Sequence, residues 1–222
     1  MRNFDEIFDI AASRKGGADA LNKLLAQPKG AAELKNITDD RWLSCMTKCI
    51  FQAGFNWKVV ESMWPGFETA FHGFDIGHCV MLNDEDFDEL VSNKNIVRHG
   101  TKIRAVQANA MFINELTKEY GSLTKALVGW PLDDYAGLLN MLKKRGSRLG
   151  GNTGQYFLRF MGVDGFILSR DVVGRLVAEG VIDKSPSSQK AMAAVQEAFN
   201  IWHKQSGRAL TEISRVLAMS AD

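Results

Sequence analysis

Apolar residues recur at helical spacing in almost every segment of this chain, and that pattern excludes most architectures. Phe4, Ile7, Phe8 and Ala11 begin the series, and Leu21, Leu24 and Leu25 form a short helix ended near Pro28. Thr38 or Asp39 can cap a helix carrying Trp42, Leu43, Met46 and Ile50, which ends near Gly54. Another begins around Trp57 and stops at Pro65. Asn83 with Asp86 three positions on approximates a capping box for a helix buried through Phe87, Leu90 and Val91. Ile103, Val106, Ala110 and Ile113 predict a longer helix that ends by Gly121. Pro131 opens one through Leu138, Leu139 and Leu142, terminated at Gly146. Gln155 to Met161 and Asp171 to Ala178 follow, stopped by Gly162 and Gly180. Beyond a turn at SPSSQK (185–190), Met192, Val195, Phe199 and Trp202 share one face, and Ile213, Val216 and Leu217 another. Nothing reads as a strand, a repeat or a low-complexity tract. The expectation is an all-α protein of about ten helices.

With 222 residues and 45% hydrophobic content, the chain can bury one sizeable core or two small ones. Its net charge is only +1, so affinity for a polyanion must come from a local patch. No apolar run approaches the roughly 18 residues of a membrane span. Asp5, Glu6 and Asp9 stand where a signal peptide would be apolar, so the chain reads as cytoplasmic, with no membrane partner. The cysteines, Cys45, Cys49 and Cys79, are odd in number, which argues against a disulfide framework. Cys45 and Cys49 would share a helical face and could form half of a zinc site, but no Cys or His follows at finger-like spacing. The alternative is buried free thiols.

One stretch breaks the even charge distribution: LKKRGSRLGGNTGQYFLRF, residues 142–160. Lys143, Lys144, Arg145 and Arg148 crowd together, followed by Gly150, Gly151, Asn152, Thr153 and Gly154. Glycines allow a tight turn and close backbone approach. A helix starting at about Asn152 would direct free N–H groups outward, which is a ready anion site. Surrounded by these cations, it describes a hairpin able to grip a DNA phosphate without reading sequence. The same residues also fit an ordinary helical hairpin with a solvated basic end. Arg98, His99, Lys102 and Arg104 form a second basic group, either on the same DNA-facing side or in a solvated turn.

Residues 142–160 resemble the helix-hairpin-helix motif of the DNA glycosylase superfamily that includes endonuclease III, with Thr153 in place of the second turn glycine. The chain is more closely similar to the DNA-3-methyladenine glycosylase I family. FQAGFNWKVV (51–60), IVRHGTKIRAVQANA (96–110) and LKKRGSRLGG (142–151) carry that resemblance, which spans roughly residues 38–178. It implies a helix-hairpin-helix glycosylase core at 38–184, with helical extensions at 1–37 and 185–222. The family's structural zinc site is missing by inventory, since no Cys or His precedes Cys45 and none lies between His99 and His203. Its base-pocket glutamate falls on Cys49, and a thiol does not replace a carboxylate that accepts hydrogen bonds from a methylated adenine.

The resemblance also assigns a site. Superfamily members carry an aspartate at a helix start about twenty residues past the hairpin, and Asp171 stands twenty positions after Gly151. A preorganised carboxylate would stabilise the positive charge that develops on the sugar and orient water. The alternative is that Asp171 merely caps its helix, a role Ser169 could fill equally well. Trp57 corresponds to the pocket tryptophan, with Gln52 and Phe55 as neighbours; it would hold the extruded base. Trp42, Trp64, Trp130 and Trp202 read as core. His72 and His78 read as surface residues.

The implied function is a monofunctional DNA glycosylase that removes damaged, alkylated, 3-methyladenine-like bases from double-stranded DNA in base-excision repair. Water would be the nucleophile, because no hairpin lysine stands where a bifunctional lyase would carry its Schiff-base residue, position 153 in that region being Thr; no metal or organic cofactor is required. The chain is read as a monomer. Two other readings stay open: a non-catalytic helix-hairpin-helix DNA-binding protein, and a helical interaction domain using the terminal extensions. Those extensions are expected to pack on the core.

Overall fold

A computed structural model describes residues 1–221, and among these it contains helices and connecting segments without a strand. In chain order the helices are α1 (Phe4–Lys15), α2 (Ala18–Lys23), α3 (Ala31–Lys35), α4 (Asp39–Gln52), α5 (Trp57–Ser62), α6 (Trp64–Ala70), α7 (Ile76–Val80) and α8 (Asp84–Ser92). They continue as α9 (Gly100–Tyr120), α10 (Leu123–Val128), α11 (Tyr135–Arg145), α12 (Asn152–Met161), α13 (Arg170–Ala178), α14 (Gln189–Ser206) and α15 (Leu210–Ser220). Short 3-10 turns precede α7 and α11. The all-α class is as expected, but the helices outnumber the expected ten. The excess lies in one-turn pieces such as α3, α7 and α10, each too short to repeat an apolar position.

Side-chain caps fix several boundaries. Asn83 Oδ1 accepts from the backbone N–H groups of Glu85 and Asp86, and Asp86 Oδ2 accepts in return from Asn83 N at 2.8 Å. Ser169 Oγ accepts from Val172 N at 3.3 Å and starts α13. Thr38 occupies the cap position of α4 but makes no cap bond to the helix backbone.

The contacts divide the chain into two compact units. The first comprises Met1–Lys29, Trp130–Leu138 and Gly162–Asp222. Here α1 packs on α15, α14 and α2, and α13 packs on α15. Phe166 stacks on Phe199 at 4.4 Å, and Trp202, fully buried, donates its Nε1–H to the Arg2 carbonyl at 3.1 Å. Residues 163–169 are irregular and have no helix of their own, so their polar groups need side chains. Thr211 Oγ1 accepts from Gly165 N at 3.3 Å and Ser214 Oγ from Ile167 N at 3.0 Å. Asp164 in turn accepts from the N–H groups of Leu210 and Thr211 at the start of α15.

The second unit comprises Gly30–Gly129 and Leu139–Met161. Helix α4 is central, packed by α9 and α12; α9 also contacts α7, α8 and α10. Trp42 meets Phe157 edge-on at 5.8 Å, joining α4 to α12. Trp64 stacks on Phe67 and Phe74 at 4.9 and 5.6 Å. Of the tryptophans read as core, Trp42 and Trp202 are fully buried and Trp64 nearly so, while Trp130 is half-buried and donates to Asp134.

Candidate nucleic-acid interface and base site

The hairpin is built from the end of α11, the turn 146–151 and the start of α12. Leu149, 1% exposed, plugs the turn from inside. A Cβ on Gly154 would overlap the Leu149 carbonyl oxygen, so only glycine lets α12 begin so close to the turn. Gly151 has φ +60 and Arg148 φ +59, and these left-handed residues reverse the chain. Helix α12 starts at Asn152, and Asn152 and Thr153 expose its first turn. Gly150 packs against the Lys143 side chain.

The turn is held from below by a residue that stands outside the sequence-based expectations. Asn109 of α9, fully buried, accepts from Ser147 N at 2.8 Å and donates to the Ser147 carbonyl at 3.0 Å. Its signal in the sequence is a polar residue within the apolar stripe Ile103–Val106–Ala110–Ile113. Beside it, Arg148 donates to Thr101 Oγ1 at 2.8 Å, which puts the start of α9 and the hairpin together.

The cations on that face are not equivalent. Lys143, Lys144, Arg148 and Arg98 are exposed. Arg145 is committed to Glu119 through both terminal nitrogens, at 2.5 and 2.8 Å, and to Glu115 at 3.3 Å. Its hydrogen bonds to Glu119 raise its pKa. A phosphate approaching Arg145 must compete with two carboxylates. Lys102 departs from expectation altogether. It is 5% exposed, and its Nζ donates to the carbonyls of Phe51 at 3.2 Å and Ala53 at 2.6 Å. It closes the C-terminus of α4, whose last carbonyls attract a cation, and is not presented to DNA. Burial, then the Arg148 charge, lowers its pKa.

The proposed base-pocket residues cluster where α4 passes into α5. Cys49 and Gln52 are buried at one-turn spacing on α4. Hydrogen bonding with Cys45 and burial hold the Cys49 thiol far above its ordinary pKa, so it is neutral. Gln52 Oε1 is buried and has no hydrogen-bond partner. Cys45 is half-buried, its thiol 4.0 Å from the Phe157 carbonyl, and Cys79 is buried, with its pKa pushed by burial to about 12. Phe55 and Trp57 are 40% and 45% exposed, large for such side chains. Trp57 meets Tyr156 at 5.5 Å and Phe160 at 6.1 Å, both near perpendicular. Lys102 Nζ lies 4.5 Å from the centre of the Phe55 ring.

Asp171 belongs to the other unit. It stands in the first turn of α13, exposed, and Ser169 takes the capping role. Its carboxylate is therefore not consumed as a cap. Arg175, one turn on, is buried and donates to Glu179 at 3.4 Å and to Ser220 Oγ at 2.9 Å. His72 is exposed and His78 half-buried, their rings 3.9 Å apart.

Residues 35–135 match the model of the methyladenine glycosylase family, a stretch that contains the Gln52–Trp57 and Arg98–Lys102 segments and stops short of the hairpin. DNA-3-methyladenine glycosylase 1 of Escherichia coli (strain K12) is 27% identical, over 46% of this chain and 64% of its own length. The chain thus matches less than two thirds of that relative. 3-Methyladenine DNA glycosylase I from Staphylococcus aureus, solved in a study of 3-methyladenine recognition, is similar in fold at TM-score 0.53 and 22% identity, covering 62% of this chain and 80% of that one. The 8-oxoguanine DNA glycosylase of Thermotoga maritima is similar at TM-score 0.53 and 19% identity over 97% of this chain and 95% of its own. The terminal segments outside the family match therefore lie within a fold that glycosylases share. Over residues 35–135 the chain is thus similar to the methyladenine glycosylase family, and its all-α fold is the one these solved DNA glycosylases share.

Proposed function

We propose that this protein is a monofunctional DNA glycosylase that hydrolyses the N-glycosidic bond of alkylated, 3-methyladenine-like bases in duplex DNA, as a cytoplasmic monomer in base-excision repair. The observation that carries the reading is the family match over residues 35–135, which contains the Gln52–Trp57 segment and leads into the clamped hairpin. Lys143, Lys144 and Arg148, with the open N–H groups at Asn152 and Thr153, hold the phosphate backbone. The damaged base leaves the stack and rests against Trp57, with Phe55, Gln52 and Cys49 as neighbours. Asp171 supplies the anion that stabilises the developing sugar cation and orients water. An alkylated purine is already cationic and leaves without strong acid help.

The test is release of base from methylated duplex DNA, with Asp171→Asn as control. Release by the wild type, lost in the variant while DNA binding persists, supports the assignment. Binding without release of methylated, deaminated or oxidised bases would favour a non-catalytic DNA-binding protein.

A further inference from the structure

We infer that Tyr156 and Phe160 join Trp57 in a stacking platform for an unpaired base on the strand whose phosphate rests at the hairpin; the inference builds on the functional reading above. Three aromatic side chains meet at one place on the surface. Phe160 is 47% and Trp57 45% exposed, and Tyr156 is half-buried between the two elements. Tyr156 and Phe160 lie 5.7 Å apart with their planes inclined by 34°, and Trp57 stands at 87° and 82° to them. The Trp57–Tyr156 and Trp57–Phe160 contacts fix the tryptophan from α12 and leave nearly half of it open to solvent.

A folded chain rarely leaves such rings together in water without an occupant. The position of the cluster selects the occupant. Asn152, Tyr156 and Phe160 recur every fourth residue and so line one face of α12. The rings follow the hairpin's N-terminus at about 6 and 12 Å along the axis. Lys143 and Lys144 are exposed at the end of the helix that leads into the same hairpin, the Lys143 side chain lying close to Gly150 in the turn, and exposed Lys58 follows Trp57 in the chain. Aromatic rings on the helix that begins at a cationic turn are what an unstacked base on a phosphate backbone requires. Tyr156 and Phe160 are positioning residues for Trp57 and contact surface for the base.

The full-length protein is titrated with a fully paired duplex and with the same duplex carrying one bulged adenine, with tryptophan fluorescence read alongside. The wild type is expected to prefer the bulged duplex by about tenfold or more, as stacking on one aromatic group implies. Phe160→Ala and Tyr156→Ala should each lose most of that preference while affinity for the paired duplex, helix content and melting stay near wild type. Tyr156→Phe should retain it. Equal affinity of the wild type for both duplexes overturns the inference, as does a preference that survives both alanine variants. A dimer that Phe160→Ala dissociates would assign the patch to self-association and overturn it as well. Base release, measured separately, keeps the two ideas apart: release without a bulge preference removes this inference and leaves the glycosylase standing. Absence of DNA binding removes both.

Discussion

Asn109 and Ser147 lock helix α9 to the hairpin turn through a two-way contact: the amide oxygen accepts from Ser147 N at 2.8 Å, and the amide nitrogen donates to the Ser147 carbonyl at 3.0 Å. Asn109 is fully buried and Ser147 half-buried, so truncating the amide leaves shielded backbone groups of the turn unsatisfied. Asn109→Ala is expected to cost about 2–3 kcal/mol. For a chain of this size that lowers Tm by roughly 5–10 °C in a thermal melt. DNA affinity should fall with it, because the turn that presents Asn152 and Thr153 loses its support. A variant that melts like wild type would mean the turn is held by Leu149 and the glycines alone.

This clamp also marks where sequence stops being informative. The helix start at Asn152, the Asn83–Asp86 box and the Ser169 cap follow from local chemistry, which neighbouring residues determine. Asn109 is visible only as a polar residue on an apolar face, and its partner lies 38 positions away. Lys102 misleads for the same reason: a lysine in a basic segment looks solvated until the end of α4 is set beside it. The pairing of α1 with α15 has no local signal either, so the chain termini read as separate extensions. Family resemblance singles out Trp57, whereas Tyr156 and Phe160 look like ordinary members of a helical pattern.

The two classes of lysine should separate in salt titrations. Each phosphate that is no longer neutralised lowers the slope of log affinity against log salt by about 1. Lys143→Ala and Lys144→Ala are each expected to reduce it by up to that amount, with little change in stability. Lys102→Met should leave the slope unchanged and destabilise the fold, since the carbonyls of Phe51 and Ala53 lose their donor. A reduced slope for Lys102→Met in a fully folded protein would return that residue to the DNA face.

Two glycines in the hairpin are required for different reasons. At Gly154 the added carbon runs into a backbone oxygen, that of Leu149, so the turn must open. Gly154→Ala is expected to cost about 1–3 kcal/mol, as overpacking does, and to weaken DNA binding. At Gly151 there is space around the added carbon, and the difficulty is its φ of +60. Gly151→Ala should cost only about 1–2 kcal/mol, and Gly151→Asn less. A loss at Gly151→Asn as large as that at Gly151→Ala, read from denaturant melts, would contradict the backbone origin assigned to Gly151.

Glu179 provides a pH signature. Burial raises its pKa, but the Arg2 backbone N–H and guanidinium, followed by Arg175, outweigh burial and leave the carboxyl below the ordinary glutamate range. A depressed carboxyl stabilises the fold fully above the unfolded value of about 4.3, and that stabilisation disappears as pH falls through the lower folded value. Glu179→Gln should therefore be less stable than wild type at pH 7, by about 2–4 kcal/mol given the buried Arg175 left behind. The gap should narrow as both proteins are melted at decreasing pH below about 4. A gap independent of pH would place the loss in packing, not charge.

Gln52 offers a sharper separation of stability from function. Its Oε1 is buried without a partner, a configuration that destabilises the resting fold. Replacing such a group by an apolar side chain of similar shape is nearly neutral or stabilising. Gln52→Met is therefore expected to melt no lower than wild type, and up to about 1 kcal/mol higher in stability. If the amide is retained to accept a donor from the base, the same variant should release methylated purine more slowly while binding undamaged DNA equally well. Higher stability with slower release would identify a polar group kept at the expense of the fold. Higher stability with unchanged release would remove Gln52 from the pocket and leave Trp57, Phe55 and Cys49 as its remaining candidates on that side.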